Sequence, residues 1–200
     1  MTTKAQTRQG IRQAFRDKRL ALSTEQQTSA ACALVQQYKQ SPLFEHATKV
    51  ALYLSFNGEI NTRALIDYLW SKQASVYVPV IHPFSKGHLL FQQYTASTPM
   101  ICNRFGIFEP KLDSRFICPI SALDILFTPL VAFDLKGNRL GMGGGFYDRT
   151  LASLGRTEVH AKPTLIGLAH DIQQTAELPI EHWDIPLPHI LTSSKLHSFR

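Results

Sequence analysis

The sequence predicts a single three-layer α/β/α domain with a mostly parallel, Rossmann-like sheet. Three observations carry that expectation: short apolar runs of the buried-strand kind, stretches of helical periodicity between them, and a glycine-rich loop leading from a strand region into a helix. With 200 residues the chain has the size of one domain with a substantial core, so residues 1–200 are expected to form one unit. It contains no internal repeat and no low-complexity segment.

Taken in order, residues 3–22 read as a helix with Ile11, Ala14 and Phe15 on one side. Ser23-x-x-Gln26 has the form of a capping box and opens a second helix to about Gln40, which Pro42 brings to an end. The apolar run 50–54 reads as a buried strand; Asn57-Gly58 breaks it, and Asn61 caps a helix through Trp70. A β-rich middle follows, with strands at 76–80 and 89–91 around a Pro, Ser, Lys, Gly turn cluster, then an irregular stretch over 105–119. Strand character returns at 125–127 and, beyond a proline, at 130–133. The glycine loop then leads into a helix over 146–154, residues 165–169 form another buried strand, and 190–191 an edge strand. In such folds ligands settle beyond the carboxyl ends of the strands. Glu59 follows one strand and the glycine loop another, so both are expected on the same rim.

That loop is the most informative stretch of the chain. Gly141, Gly143, Gly144 and Gly145 fill four of five consecutive positions, with Arg139 before them and Asp148 and Arg149 after. Glycine lets backbone N–H groups approach a phosphate without an intervening Cβ. An arginine fork binds two oxygens at once, and a carboxylate completes a site for an anion with its cation. Two better-known nucleotide signatures do not match. A P-loop ends in Gly-Lys-Ser or Gly-Lys-Thr, whereas this loop runs Gly145-Phe146-Tyr147. A dinucleotide fingerprint needs a glycine where Phe146 stands, an early opening strand and an acid about 20 residues on.

The net charge of +6 favours an anionic ligand. Nucleic acid is not expected, because the chain has no zinc-finger spacing, no RNP-like aromatic strand and no basic tract beyond its first helix. No apolar run approaches the ~20 residues that cross a bilayer, and the polar, basic start carries no secretory pattern. A cytoplasmic monomer acting on small molecules, without a membrane partner, is expected. Cys32, Cys102 and Cys118 lack Cys-x-x-Cys spacing and read as ordinary thiols, and the eight histidines show no His-Glu-x-x-His pattern. Gly-x-Ser-x-Gly is absent as well, so nothing points to covalent catalysis. Lys4, Arg8, Arg12 and Arg16 stand four apart, a row of like charges costing about 0.2–0.5 kcal/mol per neighbouring pair on a helix, which a bound polyanion would relieve.

The run Arg-Leu-Gly-x-Gly-x-Gly-aromatic-Tyr-Asp-Arg over 139–149 resembles the signature of the 5-formyltetrahydrofolate cyclo-ligase family. The resemblance continues through Arg8 and Arg12, Gly58-Glu59-Ile60, residues 106–110, Leu178-Pro179 and Asp184, nearly the whole chain in family order. It implies ATP-dependent cyclisation of 5-formyltetrahydrofolate to 5,10-methenyltetrahydrofolate, with ATP as co-substrate and Mg²⁺ as metal. It also implies roles for residues. Arg8 and Arg12 would contact ATP; Lys4 with Arg8 is the other register, and Ile11 and the distance to Leu22-Ser23 favour the first. ATP would further meet Arg139, Leu140, Gly141, Met142, Gly143, Gly144, Gly145, Phe146 and Tyr147, with Arg139 and Tyr147 catalytic. Leu54, Glu59 and residues Met142 to Phe146 would hold the folate, and Asp148 and Asp184 the metal. The chain departs from the family pattern with arginine for lysine at Arg8, Phe146 for a frequent tyrosine, Phe108 for proline, and Trp183 where histidine often precedes the aspartate. Two rival readings remain at this point: an α/β enzyme using the same loop for another nucleotide or sugar phosphate, and a basic RNA-binding module.

Overall fold

The computed structural model describes residues 4–152 and 163–199. Its helices are α1 (Lys4–Leu20), α2 (Thr24–Gln40), α3 (Arg63–Ser71) and α4 (Phe146–Ala152). Its strands are β1 (Lys49–Ala51), β2 (Ser75–Ile81), β3 (Leu89–Gln93), β4 (Met100–Cys102), β5 (Phe108–Pro110), β6 (Ile117–Cys118), β7 (Ile125–Pro129), β8 (Ala132–Phe133), β9 (Arg139–Leu140), β10 (Thr164–Leu168), β11 (His189–Leu191) and β12 (Leu196–Ser198). The sequence-based helix over 146–154 starts where α4 does, and its last two residues lie outside the described residues.

The main sheet has the order β12-β11-β10-β7-β1-β2-β3-β6. Five central strands, β11, β10, β7, β1 and β2, are parallel, and antiparallel strands flank them on both sides. In order of appearance the parallel strands run 2-1-3-4-5, a doubly wound order. On one face α2 and α3 lay Leu34, Tyr38, Leu65, Ile66 and Leu69 over Val50, Val76, Phe127 and Ile166. On the other, Leu151 of α4 packs with Ala51, Tyr77, Phe91 and Leu126. The three layers expected from the alternation of elements are therefore present.

Local chemistry explains most boundaries. The Ser23 hydroxyl accepts from the Gln26 amide at 3.2 Å and the Gln26 side chain accepts from the Ser23 amide at 2.8 Å, so the capping box forms and starts α2. At α3 the N-cap position falls to Thr62, whose hydroxyl donates to Tyr53 O at 2.7 Å; Asn61 still supplies a capping bond, accepting from the Arg63 amide at 2.8 Å.

Four expectations are corrected. The inward side of α1 is formed by Arg8, Phe15 and Arg19, whereas Ala14 is exposed. The 130–133 run leaves the main sheet: β8 and β9 pair with each other, because buried Asp134 accepts from the amides of Lys136 and Asn138 and closes a tight turn with Gly137 at φ +81°. Residues 105–119 are less irregular than expected, containing β5, which pairs with β4, and β6. Strand β11 is not the edge, since the short, half-polar β12 adds antiparallel outside it.

Candidate active site

Strands β1 and β7 lie side by side, but their connections depart to different parts of the sheet, which opens a crevice at their carboxyl ends. Residues 52–60 leave β1 there. The β8–β9 hairpin, packed on Ile11 and Phe15 of α1, returns the chain to the same rim and delivers Arg139 and the glycine loop. Between these segments lies a cleft of about 1760 Å³. Every residue predicted for the site lines it except Leu140, whose side chain is buried with Phe15, Val131 and Leu178.

One end of the cleft is dense in charge. Arg8, nearly buried, forks onto Asp184 at 2.5 and 3.0 Å and also donates to Pro179 O at 2.7 Å. This pairing raises the guanidinium pKa further, and the same contact holds the Asp184 carboxyl below its usual range against the opposing effect of burial. Arg139 Nη2 donates to Asp148 at 2.5 Å. Arg12 Nε donates to Gly141 O at 2.8 Å, and Arg16 reaches the Met142 sulfur at 3.7 Å. Arg12 and Arg16 of the basic row are thus applied to the glycine loop, and Arg8 to Asp184. In that loop Gly143 and Gly145 take φ of +98° and +64°, a region other residues avoid. A Cβ on Gly145 would stand 2.7 Å from the Arg149 guanidinium.

The other end is built from a carboxyl and phenols. Glu59 accepts from the Phe56 amide at 3.0 Å, and burial pushes its carboxyl up to about 7 despite that bond and the field of Arg19. The hydroxyls of Tyr53 and Tyr147 are buried and have no hydrogen-bond partner among the described residues. Burial first, and then the Glu59 charge, raises both phenols. Unmet polar groups lining a cleft are poised to bond a ligand. Tyr147 is also in the field of Arg139, which places it between the two ends.

A profile of the 5-formyltetrahydrofolate cyclo-ligase family matches residues 4–193. The chain belongs to the 5-formyltetrahydrofolate cyclo-ligase family. The 5-formyltetrahydrofolate cyclo-ligase of Haemophilus influenzae is 50% identical over 186 residues, 93% of this chain and 97% of that one. That of Escherichia coli is 49% identical over 182 residues, 91% and 98% of the two chains. The NMR structure of Aquifex aeolicus 5,10-methenyltetrahydrofolate synthetase has a TM-score of 0.80 at 27% identity, covering 96% of this chain and 93% of that one. As a member of the family the chain is a ligase of folate metabolism.

The metal prediction meets a specific arrangement. Among the described residues no group of three or more His, Cys, Asp or Glu side chains gathers as a ready cation cage. Mg²⁺ commonly uses one or two carboxylates and completes its octahedron with substrate phosphates and water. Asp148 and Asp184, hard oxygen donors on the same cleft, fit that incomplete set. Each is held by an arginine that a phosphate could claim instead.

Three contributors escaped the sequence reading. Arg19 lies three residues after Arg16 and off the four-residue row, and only its complete burial marks it out. Tyr53 reads as an ordinary strand aromatic until its hydroxyl is found without a partner. Arg149, seen as a flank of the motif, donates from Nε to Gly87 O at 3.1 Å and from Nη2 to Gly144 O at 2.5 Å, tying the loop to the β2–β3 turn. No helix among the described residues is long and apolar enough to cross a membrane.

Proposed function

We propose that this family member closes 5-formyltetrahydrofolate to 5,10-methenyltetrahydrofolate at the expense of ATP, releasing ADP and phosphate. The carrying observation is that a single cleft joins an arginine-rich glycine loop to a desolvated glutamate flanked by two unpartnered phenols. A formamide carbon is a poor electrophile and its oxygen a poor leaving group. The formyl oxygen therefore attacks the γ-phosphorus and displaces ADP. Nitrogen 10 then attacks the activated carbon, gives up its proton, and phosphate departs with the former formyl oxygen.

Phosphoryl transfer of this kind depends on alignment and charge stabilisation more than on covalent help from the protein. Arg8, Arg12 and Arg139 hold the phosphates, and the backbone of residues 141–145 lies against them. Met142 to Phe146 also border the folate, which places the two substrates in contact. Glu59 accepts hydrogen bonds from the N–H edge of the pterin, Leu54 packs on it, and the Tyr147 hydroxyl bonds where the formyl group meets the γ-phosphate. Asp148, with Asp184 second, would supply carboxylate oxygens to an Mg²⁺ arriving with ATP, which would neutralise charge on the phosphates. Arg8 and Arg139, paired with those carboxylates in the free protein, turn toward phosphate when ATP binds.

The test is absorbance at the methenyl product's band with purified protein. Growth that requires both ATP and 5-formyltetrahydrofolate is expected. Absence of the band with both present, or hydrolysis of ATP indifferent to the folate, overturns the proposal.

A further inference from the structure

Arg149, in the middle of α4, joins two segments that lie far apart in the chain. Its Nε donates to Gly87 O in the β2–β3 turn at 3.1 Å, and its Nη2 donates to Gly144 O in the glycine loop at 2.5 Å. The guanidinium carbon also lies over the Phe146 ring, 5.7 Å from its centre. Two nitrogens and a face are therefore engaged, which fixes the orientation of the group as well as its charge.

The backbone around it leaves no room for another side chain. A Cβ on Gly87, which adopts φ +80°, would stand 2.4 Å from both Nε and Nη2, and one on Gly145 would stand 2.7 Å from Nη1. Glycine at these two places lets the guanidinium sit between turn and loop. The next residue repeats the link, since the Thr150 hydroxyl accepts from the Leu89 amide at 2.9 Å and donates to Phe146 O at 2.7 Å. Two consecutive side chains of α4 thus hold the entry to β3.

The bond to Gly144 O has a consequence one atom further on. A trans peptide is planar, with its C=O and N–H pointing in opposite directions. By holding Gly144 O, Arg149 turns the Gly145 N–H to the other side, and Arg12 Nε, holding Gly141 O at 2.8 Å, does the same for the Met142 N–H. Among the described residues no backbone carbonyl accepts from the amides of Met142, Gly143, Gly144 or Gly145. Successive open N–H groups of this kind are what an anion binds.

We infer that Arg149 is a positioning residue for the glycine loop: its fork, braced on Gly87 O, holds the Gly144–Gly145 peptide with its N–H turned toward the phosphates. The inference rests on the proposed reading that this loop carries ATP. Donors oriented in advance need no reorganisation when charge arrives, so bracing the loop serves the transfer step without touching a substrate.

The experiment measures kcat/KM for ATP, with 5-formyltetrahydrofolate saturating, in the parent, Arg149→Met, Arg149→Lys, Gly87→Ala and the double variant Arg149→Met with Gly87→Ala. Arg149→Met should lower it about 10–100-fold, as expected when groups are misplaced without being removed. Arg149→Lys should lose nearly as much, because one ammonium cannot replace a fork that meets two carbonyls on separate segments. Gly87→Ala should also lose activity, since its methyl claims the place of the guanidinium, and the double variant should fall no lower than the worse single one. Full activity in Arg149→Met overturns the inference. So does restoration by Arg149→Lys, which would make Arg149 a direct phosphate charge, and so do losses that multiply in the double variant. A parent that forms no methenyl product defeats the proposed function and this inference with it, whereas an active parent matched by Arg149→Met defeats this inference alone. Should Arg149→Met not fold, Arg149→Gln replaces it; failure of both to fold would make Arg149 a folding residue and defeat the inference.

Discussion

The two ends of the cleft solve opposite electrostatic problems. At the glycine loop, cations and carboxylates already neutralise each other, Arg8 with Asp184 and Arg139 with Asp148. At the end proposed for the folate, Glu59 is partly buried and bonded to the Phe56 amide, and the hydroxyls of Tyr53 and Tyr147 are buried with no partner among the described residues. On the proposed function a triphosphate brings its own charge to the first end, which can hold paired ions and exchange partners on binding. A pterin brings neutral N–H donors, which could not displace an arginine from a carboxylate. The second end must therefore keep its acceptor unpaired and let burial sharpen it.

That contrast is broken most severely by Arg139→Ala. Loss of the fork proposed to meet the phosphates should lower kcat/KM for ATP about 10²–10³-fold while KM for the folate changes little, as steady-state kinetics would show. A comparable loss in both substrates would erase the distinction between the ends.

Asp184→Ala sharpens the same comparison through stability. It strands Arg8, whose side chain is only 10% exposed, and should cost about 3 kcal/mol. Calorimetry should register a melting temperature lowered by roughly 6–12 °C, and an unchanged value would show that Arg8 finds another partner.

Glu59→Gln addresses the folate end. Losing a charged acceptor should raise KM for 5-formyltetrahydrofolate about 10–100-fold with KM for ATP unaffected. It also has a signature in the protein without ligands. The Glu59 carboxyl is raised from 4.5 to about 7 on folding, so its contribution to stability is fully present below 4.5 and is lost as pH rises through about 7. His170, pushed down from 6.5 to about 4, gives the opposite slope over much of that window. The difference in melting temperature between parent and Glu59→Gln, followed with pH, isolates the carboxyl. The parent should lose ground to the variant from about pH 4.5 to 7. A flat difference would refute the burial assigned to this group.

The smallest effect is expected from Tyr53→Phe. Its hydroxyl has no partner among the described residues, so removing it should leave the ligand-free melting temperature unchanged or slightly raised. Any penalty should appear in KM for the folate alone.

Much of this arrangement was legible in the sequence, for identifiable reasons. Strands such as β1, β2, β7 and β10 are apolar because they are buried on both faces, so their runs stand out without alignment. Four glycines within 141–145 and the acid following β1 point to a ligand rim through backbone chemistry. What escaped depends on contacts made far along the chain. Arg8 and Asp184 meet across 176 positions, and nothing local in either segment names the partner. Arg19 looks like another member of a basic helix, yet it is wholly buried while its neighbour Lys18 is exposed. The β8–β9 hairpin reads as a continued strand because the turn closed by Asp134 becomes apparent only once its bonds to the amides of Lys136, Asn138 and Leu178 are counted.

The proposed adjacency of γ-phosphate and formyl group is tested most directly by following the formyl oxygen. With 5-formyltetrahydrofolate carrying ¹⁸O in its formyl group, single-turnover reaction with ATP should release phosphate bearing that ¹⁸O, detected by mass spectrometry or by its ³¹P shift. Unlabelled phosphate, with the heavy oxygen found in water or retained on the folate, would contradict the account.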